Sequence, residues 1–256
     1  MLSKLIKLPI FKRIIPSLGI HIMKLLKKNK GYFKINNIAM YLDFLDPIDR
    51  EIILYKKYED EEIKYLIILI RKYSVTKFFD VGSNCGYYSI RLINEFPKLE
   101  ITAFEPNKEA YLKFNKTIKK NSGFLGKIKI KNFGLSNKNS VLKMKFLKKN
   151  GYNQTGGSSV VDDNDYIGTN TFLANFKTGD SVLNLKNQIL CFKIDVERHE
   201  FDVLSGLNNV FKENKIILLI EIYEKNFYKC NSFLKKLGFE LNKSIQNRSN
   251  YFYKNF

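Results

Sequence analysis

No stretch of this 256-residue chain constrains its fold more than KFFDVGSNCGYYS followed by EITAFEPN. The apolar run KFFDV, residues 77 to 81, reads as a buried strand that ends beside Asp80 and enters a turn carrying Gly82 and Gly86 before a helix opens. Glycine at those two points lets the backbone bend sharply and approach a ligand at the carboxyl edge of an open α/β sheet. Such a turn alone also fits an ordinary strand-to-helix connection. Glu105 adds the discriminating feature: it ends the next strand, nineteen residues beyond Gly86, where a carboxylate can accept hydrogen bonds from both hydroxyls of a ribose. The two features together specify an adenosine site. The turn reads G-S-N-C-G, so the dinucleotide fingerprint G-x-G-x-x-G is not met, and a nucleoside cofactor without phosphates fits better.

The text around this unit alternates strand and helix as a mostly parallel, doubly wound sheet requires. Strands are expected at 77–81, 100–104, 127–133, 141–146, 189–195 and 216–222. Helices are expected at about 87–95, 108–120, 200–211 and 224–237, and FELNKS with NYFYKNF reads as a terminal antiparallel pair. From about Tyr32 to Tyr73 the apolar spacing is helical, broken by a turn at Asp46-Pro47, which predicts a helical cap. The chain thus divides into a basic, helical extension and cap over residues 1–75 and an α/β cofactor domain over 76–256. The polar segment 150–170 is expected to be a long loop acting as a lid.

Composition bounds the partners. The formal net charge is +19, but lysine rather than arginine supplies most of it, and Lys, Asn and Ile are overused from end to end. An AT-rich coding sequence produces that bias without selection for polyanions; attraction to anionic lipid, glycan or nucleic acid is the alternative. Specific nucleic-acid readout leans on arginine forks, which are scarce here, so a nucleic-acid partner is disfavoured. Cys85, Cys191 and Cys230 lie far apart without C-x-x-C spacing, which indicates neither a disulfide framework nor a zinc site and points to the reducing cytoplasm. The N-terminal run MLSKLIKLPIFKRIIPSLGIHIMKLLKKNK alternates apolar and basic residues in stretches too short for a membrane span. It has the pattern of a basic amphipathic helix at a membrane surface, interrupted by Pro9 and Pro16; a docking helix is the plainer reading, and His21 within it reads as a surface residue.

DVGSNCGYYS, AFEPN, NFGLSNKN, GGSSV and KIDVERHEFDVLSG with LLIEI occur in an order and spacing that resemble the FkbM-type methyltransferases, class I enzymes dependent on S-adenosylmethionine, over roughly residues 40–225. The resemblance implies a Rossmann-like class I fold with S-adenosyl-L-methionine as cofactor. It implies that Asp80 supports the turn and the methionine amino group. Gly82, Ser83, Asn84 and Gly86 would line the methionine and ribose, and Glu105 would hold the ribose hydroxyls. Asn107 would flank the adenine, Gly134 and Leu135 would close over it, and Asp195 would sit where methyl donor and acceptor meet. Family members are similar in methylating hydroxyls of sugars and natural products, which implies a glycan or small-molecule acceptor.

A hydroxyl acceptor needs a proton acceptor beside it, and Asp195, Glu197 and His199 fall within five residues at a strand-to-helix junction. These three are the candidate catalytic residues. The competing reading is that Glu197 and Glu200 complement a helix N-terminus. Asp195, Glu197 and Glu221 could also form an oxygen-rich magnesium site, although strand-end carboxylates facing a sulfonium need no metal, and none is expected. One departure stands out: Arg198 occupies the place where the family usually shows glycine. If that position requires φ > 0, arginine there is strained; it also offers a fork for an acidic substituent of the acceptor. No Asn/Asp-Pro-Pro-aromatic motif of amine-directed nucleic-acid enzymes follows the fourth strand, where the chain reads Asp-Val-Glu, which favours oxygen methylation, with a ribose 2′-hydroxyl as the nearest rival acceptor.

Overall fold

In the computed structural model, residues 19, 20, 25, 28–149, 152–161, 170–245 and 249–256 are described. The expectations for His21 and most of the basic N-terminus fall outside them, as does part of the 150–170 stretch. A seven-stranded sheet runs in the order β12-β13-β11-β10-β3-β4-β5. Its parallel strands are β3 (Lys77–Val81), β4 (Glu100–Phe104), β5 (Ile128–Lys131), β10 (Ile189–Ile194) and β11 (Lys215–Glu221). At one edge β12 (Glu240–Ile245) and β13 (Asn250–Lys254) form the expected antiparallel pair.

The central strands are apolar along their length because helices cover both faces. Successive side chains feed two separate cores. Phe78, Cys191, Ile217 and Leu219 join one cluster, while Phe79, Phe192, Leu218 and Ile220 join the other. On the first face lie α2 (Asp60–Lys72), α3 (Tyr87–Glu95) and α4 (Lys108–Lys120), contributing Leu66, Ile90 and Phe114. On the second lie α6 (Glu200–Gly206), α7 (Asn208–Glu213) and α8 (Glu224–Lys236), contributing Leu204, Phe211 and Leu234. The chain winds outward from β3 through β4 to β5, then returns to the other side of β3 as β10 and β11. The strand order therefore reverses between β3 and β10, the switch point where open α/β sheets bind ligands.

Three expectations need correction. The helical reading from Tyr32 holds only after Asp46, whose carboxylate accepts the Ile48 N–H at 3.1 Å and caps α1 (Pro47–Tyr55). Before it, β1 (Lys30–Ile35) and β2 (Ile38–Asp43) form a hairpin whose turn residues Asn36 and Asn37 have φ of 46° and 69°. Asn-Asn tolerates the left-handed pair of a two-residue hairpin turn, and Ile38, Met40 and Leu42 alternate inward with a strand's period. The 150–170 stretch is not simply a loop. A second sheet, β6-β9-β7-β8, is built from β6 (Gly134–Leu135), β7 (Ser140–Lys149), β8 (Tyr152–Val160) and β9 (Thr171–Lys177), followed by the single turn α5 (Gly179–Val182). The single helix expected at 200–211 is broken at Leu207, which separates α6 from α7.

Candidate active site

A cavity opens at the carboxyl ends of β3, β4 and β10, under β8 and the link between α1 and α2. Its floor is the turn after β3. Gly82 and Ser83 both donate backbone N–H groups to the Phe104 carbonyl, at 3.0 and 3.2 Å. Gly82 has φ of 78°, and a Cβ there would stand 1.8 Å from the Asp195 carbonyl oxygen, so no side chain fits between β3 and β10. Gly86 repeats the conformation against the Phe114 ring, with φ of 78° and 2.3 Å of clearance for a Cβ.

Glu105 bridges this turn to α4. One carboxylate oxygen accepts the Asn84 N–H at 2.7 Å and the other the Asn107 N–H at 2.8 Å. Burial pushes its pKa up to about 7, and the two N–H groups oppose that rise by stabilising the anion. Asp80 lies beneath the floor, where Ser89 donates to its Oδ2 at 2.6 Å. Burial raises its pKa against the pull of Lys193. Among the described residues, Asp80 Oδ1 and the buried Ser83 hydroxyl have no hydrogen-bond partner. Of the two, Ser83 lines the cavity, where its hydroxyl can meet a polar group of a ligand.

At the end of β10 the side chains are charged. Lys193 donates to Asp195 Oδ2 at 2.9 Å, and its ammonium lies 5.1 Å from the centroid of Tyr88. Burial works against the ammonium, but Asp195, Asp80 and Glu59 together hold its pKa above the ordinary lysine value. Tyr223 donates to Glu197 at 2.8 Å. Burial, then the neighbouring Asp195, push Glu197 up to about 7. Glu221, at the end of β11, is pushed up to about 9 by burial and by the neighbouring Asp195. His199 stands at the cavity wall with its Nε2 2.9 Å from Ser136 Oγ and its Nδ1 3.5 Å from Asp202, and burial lowers its pKa while Asp202 opposes that. Among the described residues no group of three or more His, Cys, Asp or Glu side chains is arranged to hold a metal ion.

The cavity wall brings together Gly82, Ser83, Asn84, Glu105, Gly134, Leu135, Asp195, Glu197 and His199. It does not include Asp80, Gly86 or Asn107. Asn107 instead caps α4, accepting the Glu109 N–H at 2.9 Å, and donates to Ser158 on β8 at 3.0 Å. Arg198 does take the left-handed conformation, with φ of 78°, directly after Glu197 with φ of 50°. Its N–H is secured by Glu200 Oε1 at 2.6 Å and its guanidinium lies 5.7 Å from the centroid of Tyr223.

Several wall residues escaped the sequence reading: Ile48 and Tyr58 from the cap, Tyr88, Lys193, and Thr155 and Ser158 on β8. Lys193 carried a signal, since an ammonium inside the otherwise apolar strand ILCFKI requires a buried partner. The cap and β8 residues carried none, because only tertiary packing brings them over the turn.

Residues 80–241 match the family model of the methyltransferase FkbM domain. No curated protein matches the chain. Among solved structures, a methyltransferase FkbM from Methylobacillus flagellatus KT is 15% identical with a TM-score of 0.49, over 70% of this chain and 43% of its own. The chain thus spans less than half the length of that relative. A precorrin-6y C5,15-methyltransferase from Geobacter metallireducens GS-15 is 12% identical with a TM-score of 0.45, over 77% of this chain and 88% of its own. M. jannaschii TYW2 in complex with AdoMet is 12% identical with a TM-score of 0.44, over 88% of this chain and 84% of its own. The matched span takes in the glycine turn, Glu105 and the whole Asp195 to His199 junction, and on it the chain belongs to the FkbM methyltransferase family.

Proposed function

We propose that the chain transfers a methyl group from S-adenosylmethionine to a hydroxyl oxygen of a sugar, glycan or small natural product. One observation carries the reading. A single cavity joins Glu105, fixed between the glycine turn and α4, to the carboxylates Asp195 and Glu197 at the end of β10. The lone pairs of Glu105 left by its two N–H bonds suit a diol, and the Ser83 hydroxyl, which lines the cavity, suits the polar methionine end, with Asp80 supporting the turn from beneath. The donor supplies an electrophilic methyl group.

The protein's own part is placement and proton transfer. An acceptor oxygen held in line at roughly 3–3.5 Å gains most of its rate from position. Glu197 takes the hydroxyl proton, since its pKa of about 7 matches a neutral medium and Tyr223 orients it. Asp195 fixes the acceptor and is itself fixed by Lys193. His199 is second in the proton-accepting role, because Ser136 and Asp202 engage its ring nitrogens. Arg198, on the rim, is the residue to hold an acidic substituent; an Arg198→Gly variant with unchanged acceptor affinity removes that role.

Titration calorimetry with S-adenosylmethionine tests the donor, and labelled-methyl transfer to panels of glycosides and hydroxylated lipids tests the acceptor. Transfer to amines but not hydroxyls overturns the oxygen reading. The net charge of +19 favours a ribose 2′-hydroxyl as the rival acceptor, and salt-sensitive filter binding of bulk RNA is its signature. Peripheral contact with an anionic membrane through the basic N-terminus belongs to the same proposal. Among the described residues no helix is long and apolar enough to cross a membrane.

A further inference from the structure

We infer that the elbow between α1 and α2, formed by Tyr58 and Glu59, makes this site charge-selective, so that it holds the sulfonium donor more tightly than the neutral thioether product. The inference rests on the donor assignment above. The elbow precedes the family-matched residues 80–241 and belongs to the cap. Lys56 and Glu59 are left-handed, with φ of 56° and 44°, a conformation that non-glycine residues hold only where the surroundings enforce it. Lys56 N–H is tied to the Ile52 carbonyl at 2.9 Å. The Glu59 carboxylate accepts from the Tyr88 hydroxyl at 2.6 Å, and the Tyr58 ring lies in the cavity wall, edge-on to Tyr87 at 6.2 Å.

The elbow brings a further negative charge to a place already rich in it. Glu59 from the cap, Asp80 from β3, and Asp195 and Glu197 following β10 surround one buried ammonium, Lys193, with the Arg198 guanidinium out over Tyr223; Glu221 from β11, pushed up to about 9, is protonated at neutral pH and adds no charge. Tyr58, Tyr88 and Tyr223 stay neutral, and burial keeps His199 from adding charge. Lys193 is committed to Asp195, so the surplus is negative. S-adenosylmethionine and S-adenosylhomocysteine differ by one methyl group and one positive charge, so only the donor is stabilised by that surplus. The consequence is easy release of the spent cofactor.

The test is calorimetric binding of each ligand, without acceptor, to the wild-type protein and to Glu59→Gln and Glu59→Asp. The wild type is expected to bind S-adenosylmethionine about tenfold more tightly than S-adenosylhomocysteine, the size of one partly screened charge interaction. Glu59→Gln should reduce that ratio about threefold by weakening the donor alone, and Glu59→Asp should restore it. A wild type that binds the product as tightly as the donor overturns the inference, and this arm needs no variant. So does a Glu59→Gln protein that weakens for both ligands alike, which is the mark of a structural role. A wild type that binds neither ligand instead removes the donor assignment itself.

Discussion

Lys113 and Lys193 are both buried lysines paired with aspartate, and they serve different ends. Lys113, on α4, lies 2.7 Å from Asp49 and 3.8 Å from Asp46, and also donates to the Thr155 hydroxyl at 2.9 Å. Thr155 in turn donates its N–H and its hydroxyl to Asp46 at 2.9 and 2.7 Å. The cap, α4 and β8 are thereby tied together over the glycine turn, and the Asp49 side chain has 0% exposure. Lys193 bonds Asp195 at 2.9 Å, but that carboxylate keeps 24% of its surface open at the cavity. A closed pair can only hold the fold, whereas an open one presents charge to whatever enters. The contrast separates architecture from chemistry where residue type and burial of the lysines do not.

Substitutions should divide along the same line. Lys113→Met strands two buried carboxylates and should cost about 3–5 kcal/mol in denaturant unfolding; a loss no greater than that of an exposed pair would show that the cap is not fastened this way. Asp195→Asn leaves Lys193 with Asp80 and Glu59 as counter-charges, so it should cost less stability than Lys113→Met while lowering turnover by about 10²-fold, with a smaller change in donor affinity. Equal losses in both would make Asp195 a binding residue only. Glu105→Ala should weaken the donor by about 1–3 kcal/mol, since the ribose hydroxyls and two backbone N–H groups lose their acceptor.

The pH profile sharpens the open side. Glu197 works as its anion, and burial and Asp195 raise its pKa to about 7, so the rate should be low below that value and climb as pH rises through it. In Glu197→Gln that limb should vanish from the rate profile. The smallest effect belongs to Arg198, whose φ of 78° suits glycine. Arg198→Gly should stabilise the protein by up to about 1 kcal/mol in thermal unfolding, as relief of left-handed strain. A destabilised variant would mean that its contact with Tyr223 outweighs the strain.

The parts legible in the sequence are those whose physics is local. Continuous apolar runs announced β3, β4, β10 and β11, and a helical period announced α3, α4 and α8. The glycine turn and Glu105 stood out because a sharp bend and a strand-end carboxylate have few other uses. The β1–β2 hairpin is hard to tell from helix because its apolar residues satisfy both periods over so short a span, and only the Asn-Asn turn decides between them. β8 has a loop's composition, since GGSS has little strand propensity; pairing with β7 and the bonds to Asp46 and Asn107 hold it in place. The cavity's roof was invisible for the same reason: Tyr58 and Thr155 acquire their place only once the cap and second sheet have packed.

Co-crystallisation with S-adenosylhomocysteine tests the central claim most directly. The account predicts the ribose hydroxyls within hydrogen-bond distance of Glu105 and the sulfur directed at the Asp195 end of β10, with the amino-acid part on Gly82 to Asn84. Ligand density elsewhere on the protein, or a ribose turned away from Glu105, would contradict it.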